Sequence, residues 1–128
     1  MSALSHDPLW PRAGGWPAPA KGDRMDAVVL GAPAHRTSLS PTGADATPAA
    51  VREALRRYSP TLIGPPPVDL SEVLCVADAG DVAEPDGPDG EDRLRARVGA
   101  LTAASDLVVV LGGDNSVTYA SAQGAGAG

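Results

Sequence analysis

The chain has 128 residues, with 10 Lys and Arg against 16 Asp and Glu and a formal net charge of −6, so no positive field is available to meet a phosphate backbone and nucleic acid is excluded as a partner. Its 55 apolar residues include 23 alanines and no phenylalanine, and Gly and Pro together make up 28 residues, a supply that suits one loop-rich α/β domain better than a helical bundle. No apolar run exceeds five residues, as in Leu107 to Leu111, far short of the roughly twenty that cross a bilayer, and the first residues lack the basic and apolar regions of a signal peptide, so neither membrane insertion nor secretion is expected.

Residues 1–24 carry Pro8, Pro11, Pro17 and Pro19 with Gly14, Gly15 and Gly22, follow no helical or alternating period, and read as an amino-terminal arm. Trp10 and Trp16 within it either pack on the domain or a neighbouring subunit, or lie in solvent. The domain itself spans residues 25–128. Ala27, Val28, Val29 and Leu30 form a short continuous apolar strand closed by Gly31 and Pro33, the pattern of a buried parallel strand. Thr47 and Pro48 read as an N-cap and first helical residue, and the helix continues through Arg57 with Val51 and Leu55 on one face and arginines near its negative pole.

Pro60 to Pro67 interrupts regular structure. Val73 to Ala77 then supply a second strand ending in Asp78-Ala79-Gly80-Asp81, with Cys75 inside it read as a buried, inert thiol. A lone cysteine makes no internal disulfide, which allows a cytoplasmic compartment. Asp89, Glu91 and Asp92 open a helix that presents Leu94, Val98 and Leu101 at i, i+4 and i+7. Leu107 to Leu111 form the third strand, cut by Gly112-Gly113, and a third helix begins at Ser116. The tail from Gln123 holds three glycines, a poor helix interior, and reads as the end of a truncated or partial chain.

Strand and helix alternate three times, which demands an open, mostly parallel sheet with flanking helices. In such sheets ligands bind beyond the carboxyl ends of the strands, here the loops after Leu30, Ala77 and Leu111. The first loop offers Gly31 alone rather than Gly-x-Gly-x-x-Gly, and no Gly-Lys-Ser or Gly-Lys-Thr occurs, so dinucleotide and phosphate-loop readings fail.

Four pieces in order carry a family resemblance. Gly31-x-Pro33, the run from Ser38 through Gly43 to Pro48-x-x-Val51-Arg52-x-x-Leu55, Asp78-x-Gly80-Asp81-Val82, and Leu111-Gly112-Gly113-Asp114-Asn115-Ser116 resemble the amino-terminal part of the ureohydrolase superfamily of arginases, agmatinases, proclavaminate amidino hydrolases and formimidoylglutamases. The resemblance implies an arginase-like three-layer α/β/α fold, here truncated after the third strand, and hydrolysis of a guanidino or formimino C–N bond with two Mn ions. It also implies a small amidino or formimino substrate and homo-oligomeric full-length relatives. In that family the last signature reads Gly-Gly-Asp-His-Ser and its histidine binds Mn. Asn115 takes that position here, and a neutral amide oxygen is a weaker donor to a first-row ion than an imidazole; the other reading of Asn115 is a turn or capping residue beside Ser116.

Gly112 and Gly113 let the strand turn sharply near a bound ion. Asp114 either caps the helix or holds the loop one bond away from a metal ligand. Asp78 and Asp81 shape their loop by bonding backbone N–H groups, or sit beside the site. His35 faces substrate or is a surface residue beside Arg36, and Arg52 ties its helix to a neighbouring loop or chain, or is solvated. No catalytic residue is assigned. The family's Asp-x-His-x-Asp and Asp-x-Asp-x-x-Asp-Pro segments do not occur, so this polypeptide by itself is expected to hold Mn weakly or not at all, to be inactive and not to be independently stable. The favoured function is formimidoylglutamase-like, converting formiminoglutamate to glutamate and formamide. Agmatinase and arginase are the alternatives, and a non-catalytic remnant or partner-dependent fragment is the reading from another class.

Overall fold

The structure, a computed structural model, describes residues 7–127. Its elements in chain order are β1 (Met25–Ala32), a 3₁₀ turn (Ala44–Ala46), α1 (Thr47–Leu55), β2 (Thr61–Leu62), β3 (Val68–Asp69), α2 (Leu70–Val73), β4 (Val76–Asp81), α3 (Gly87–Ala104), β5 (Ser105–Gly112) and α4 (Val117–Ala125). The three principal strands form one parallel sheet in the order β4-β1-β5, the arrangement expected from strand and helix alternating along the chain.

β1 is the central strand, and its continuous apolar run is explained by burial on both faces. Val28, Leu30 and Ala32 point to a core completed by Leu94, Val98 and Leu101 of α3 and Ala120 of α4, while Val108 and Val110 of β5 pack at its margin. α1 covers part of the opposite face, with Pro48 buried and Val51 and Leu55 half-buried. That cover is incomplete: Leu107 is 56% exposed and Val109 37%, and among the described residues no strand pairs with the outer edge of β5. An open edge beside exposed apolar side chains is a template for association. The purified chain is therefore expected to bind a hydrophobic dye and to self-associate with rising concentration in ultracentrifugation. Leu107→Lys should reduce both; a monodisperse chain that binds no dye would contradict it.

Several boundaries differ from the sequence reading. α1 starts at Thr47 instead of being capped by it, because the 3₁₀ turn has already brought Ala46 into helical angles (φ −80, ψ −10). The Pro60–Pro67 stretch holds the small antiparallel pair β2-β3. Asp69 then accepts from Ser71 N at 2.9 Å and from Ser71 Oγ at 2.6 Å, capping the short α2. Val73 to Cys75 consequently belong to α2 and its exit, the second strand begins at Val76, and it contains Asp78 to Asp81 in place of ending before them. Cys75 is exposed, a correction to its reading as a buried thiol: it lies just outside the sheet, where its N–H donates to Asp26 Oδ2 at 2.6 Å.

The glycine-bearing tail is helical through Ala125. A Cβ on Gly124 would meet the Arg95 carbonyl at 2.5 Å and Val98 Cβ at 2.9 Å, so the missing side chain lets α4 lie close on α3. Residues 1–6 of the arm lie outside the described residues, and the rest of it is tied down as well. Ala13 N donates to Tyr58 O at 2.8 Å, and Pro17 O accepts from Asp78 N at 2.9 Å on β4. Trp16 is half-buried in the angle between α1 and β4, whereas Trp10 is 62% exposed.

Candidate functional site

β1 leads into α1 on one face of the sheet and β5 into α4 on the other, so their adjoining carboxyl ends form the switch point where open α/β sheets place ligands. At the end of β5 the chain must turn against β1. A Cβ on Gly113 (φ 39) would lie 2.5 Å from the Ala32 carbonyl oxygen and 2.6 Å from both N and O of Ala34, which only glycine permits. Asp114 then joins the two loops. Its N–H donates to Ala34 O at 2.8 Å. Its Oδ2 accepts from Thr37 N at 3.1 Å and Thr37 Oγ1 at 2.7 Å, and its Oδ1 accepts from the N–H and hydroxyl of Ser116.

These donors, the Ser116 hydroxyl foremost and Thr37 next, hold the Asp114 carboxyl below its usual range against the opposing effect of burial. A carboxyl whose pKa is depressed in the folded state stabilises the fold fully above its unfolded pKa, and that contribution disappears as pH falls through the folded value. Asp114→Ala, which leaves four donors unpaired, is expected to cost about 1–3 kcal/mol at neutral pH. The difference in Tm from wild type should be flat from about pH 8 to 5 and shrink below about pH 4. A difference independent of pH down to the acid transition would argue against the carboxylate's role.

The next loop residues are held by a carboxylate that sequence reasoning missed. Asp86 occupies the N-cap position of α3 but makes no side-chain cap bond to that helix. Instead its Oδ1 accepts from His35 N at 3.1 Å and Arg36 N at 2.9 Å, and its Oδ2 lies 3.4 Å from His35 Nδ1. Asp86 is 51 positions from His35, and an Asp before a Gly-Pro pair reads locally as an ordinary cap. The consecutive N–H groups of His35, Arg36 and Thr37 are thus all taken by carboxylates from two other segments.

Asp78 and Asp81 form a separate group with Arg52. The Arg52 fork donates Nε to Asp78 Oδ2 and Nη2 to Asp78 Oδ1, both at 2.8 Å, and Nη1 to Asp81 Oδ1 at 2.5 Å. Asp78 Oδ1 also accepts from Gly80 N at 2.9 Å. The Arg52 guanidinium holds the Asp78 carboxyl low, with Gly80 adding to the effect and burial opposing it; reciprocally Asp78 first, then Asp81, raises the guanidinium. Gly31 makes room for the arrangement, since a Cβ there would stand 1.7 Å from Asp81 Oδ1. The two aspartates are therefore an ion-pair clamp between α1 and the end of β4.

Asn115 is exposed, and its Oδ1 accepts from Thr118 Oγ1 at 3.0 Å in the turn that opens α4. Both Asp114 oxygens are taken by Ser116 and Thr37, Asp78 and Asp81 are held by Arg52, and no group of three or more His, Cys, Asp or Glu converges as a metal site among the described residues. The donors present do not by themselves fit a Mn pair, which needs bridging carboxylates with free oxygens. No helix among the described residues is long and apolar enough to cross a membrane.

Three comparisons bear on this arrangement. The model of the arginase family matches residues 25–127. A formimidoylglutamase of Halobacterium salinarum is 35% identical over 107 residues, which cover 82% of this chain and 33% of the relative, so the chain spans about a third of that relative's length. Among solved structures, proclavaminate amidino hydrolase from Streptomyces clavuligerus superimposes with a TM-score of 0.76 at 23% identity, over 92% of this chain and 40% of its own. Formimidoylglutamase from Bacillus subtilis gives 0.75 at 23% identity, over 95% and 39%. A hypothetical agmatinase from Burkholderia thailandensis gives 0.65 at 26% identity, over 77% and 32%. The first two likenesses show the open parallel α/β/α fold.

Proposed function

This chain belongs to the arginase family, and from that premise we propose that it forms the amino-terminal part of a hydrolase of linear C–N bonds other than peptide bonds. Its substrate in this reading is formiminoglutamate, cleaved to glutamate and formamide, with agmatine and then arginine as alternatives. The observation that carries the reading is Asp114, which fastens the loop after β1 to the loop after β5 at the switch point. The formimidoylglutamase among its relatives supports the choice of substrate.

Within this reading the chain binds and orients substrate. Asp114 and Gly113 set the shape of the junction, His35 lies on the substrate side, and Asn115 stands where the resembled family has a Mn-binding histidine. Because the donors do not fit the ion pair, bond cleavage is not assigned to these residues. A cytoplasmic location and a homo-oligomeric assembly belong to the same proposal. A second reading, a non-catalytic or partner-dependent chain, is favoured by the commitment of Asp78, Asp81 and Asp114 to protein partners.

Metal affinity tests the donor set, and product formation separates the two readings. Calorimetric titration of residues 1–128 with Mn at neutral pH is expected to show no site tighter than about 100 μM, the weak range for few converging ligands; a micromolar site abolished by Asn115→Ala would contradict this. The reading frame after codon 128 is then searched for Asp-x-His-x-Asp, and the encoded protein is assayed with Mn on formiminoglutamate, agmatine and arginine. Formamide release from the first supports the hydrolase as stated, and urea from either of the others moves the substrate. No product from any of them overturns the hydrolase and leaves the second reading.

A further inference from the structure

Asp86 does more than hold a loop. Its side chain is only 7% exposed, and a buried carboxylate needs donors for the lone pairs on both oxygens. Oδ1 is supplied by the N–H groups of His35 and Arg36, at 3.1 and 2.9 Å. Oδ2 is left facing the imidazole Nδ1 of His35 at 3.4 Å and the His35 N–H, also at 3.4 Å. The ring makes no formed hydrogen bond there, but a proton on Nδ1 lies closer to the carboxylate charge than one on Nε2, whereas an unprotonated Nδ1 would bring its own negative partial charge to that side. The stable neutral form therefore carries its proton on Nδ1, and the lone pair resides on Nε2, at the far edge of a ring whose side chain is 49% exposed.

The ring is also pre-positioned. Ala34 and Thr37 on either side are bonded to Asp114, while the N–H groups of His35 and Arg36 are bonded to Asp86, so the loop presents Nε2 from a fixed backbone at the switch point. Among the described residues no hydrogen bond occupies Nε2. We propose that His35 is a specificity-determining hydrogen-bond acceptor for the N–H edge of an amidinium-type substrate group, and that Asp86 is the positioning residue that fixes its tautomer. The ligand class rests on the function proposed above; the tautomer does not. A planar cation rich in N–H donors matches an acceptor of this kind, whereas a carboxylate or phosphate, which offers only acceptors, does not.

The chain has two histidines, His6 and His35, so labelling histidine alone with ¹⁵N gives two rings to follow in dilute samples of the full chain. At about pH 8.5, where imidazoles are neutral, long-range ¹H–¹⁵N spectra should show His35 with its proton on Nδ1. Asp86→Asn keeps an oxygen for the backbone donors but presents an N–H₂ to the ring, and should move the proton to Nε2. Titration with formamidinium chloride should shift His35 Nε2 selectively over His6, with affinity about tenfold or more weaker in Asp86→Asn, the effect of one lost hydrogen bond from a charged donor. Asp86→Glu, which restores the carboxylate, should recover part of the effect. A proton on Nε2 in the wild-type chain overturns the positioning role whatever the substrate. The stated tautomer with no selective response to formamidinium overturns the assignment of ligand, while the hydrolase reading is decided separately by product formation.

Discussion

Arg52→Ala is expected to lower the melting temperature by roughly 10 °C, corresponding to a loss of about 2–3 kcal/mol. A fully buried ion pair would cost more to break, but the Arg52, Asp78 and Asp81 side chains are 25%, 18% and 42% exposed, so solvent screens part of the attraction. Removing the fork leaves two adjacent carboxylates without their cation, and the like charges then repel across the end of β4. Arg52→Lys should recover less than half, because an ammonium cannot make the bidentate contact to Asp78. The acid response identifies the cause. Asp78 is depressed by Arg52, so its contribution is present above the unfolded pKa and lost as pH falls through the folded value, below about pH 4. Arg52 itself is raised, so its side of the pair is lost only at alkaline pH beyond ordinary measurement. Thermal scans from pH 8 to 3 should show wild type and Arg52→Ala converging at the acid end; a constant gap would sink the ion-pair account.

The second large effect is expected from Gly113→Ala. The new Cβ would meet backbone atoms of Ala32 and Ala34 at 2.5 to 2.6 Å, and backbone held by the end of the β1 and β5 pairing and by the Asp114 N–H cannot swing aside as a side chain can. Together with the positive φ the substitution should cost about 3 kcal/mol or more and part the Asp114 to Ala34 bond. Gly43→Ala is the control: φ is 65 there but nothing lies within 4 Å of the added atom, so only the left-handed strain of about 1–2 kcal/mol remains. Equal losses in the two variants, measured by denaturant titration, would show that conformation and not the close approach of β5 to the first loop decides the matter.

The parts of this fold that were legible in the sequence are those decided by local burial. Val28 to Leu30 and Leu107 to Leu111 announce β1 and β5 because strands in a parallel sheet are continuously apolar, and Leu94, Val98 and Leu101 announce the inner face of α3. The second strand was misplaced for the converse reason. Val73, Leu74 and Cys75 look like strand interior but are exposed, whereas Asp78 and Asp81 look like a loop but run along β4, because their charges are answered by an arginine on α1. The strands β2 and β3 are two residues each, too short to leave a period. At the candidate site the glycine turn and Asp114 were readable from their own neighbours. Asp86 was not, since its partners lie 50 and 51 positions away and its role exists only once α3 is docked beside β1.

The place of β1 at the middle of the sheet also sets a timetable. It leaves the ribosome before either of its neighbours, since one begins at Val76 and the other at Ser105, and the pair Arg24 and Asp106, which lies beside the start of the β1 and β5 pairing, is separated by 82 positions. At about 5–20 residues per second, translation of that interval takes roughly 4–16 s, and for more than half of it, until Val76 has emerged, Val28, Val29 and Leu30 have no strand to pair with. Such a strand is a natural client for a holding chaperone, and slowing translation between the codons for Gly31 and Val76 should increase the fraction of nascent chain captured.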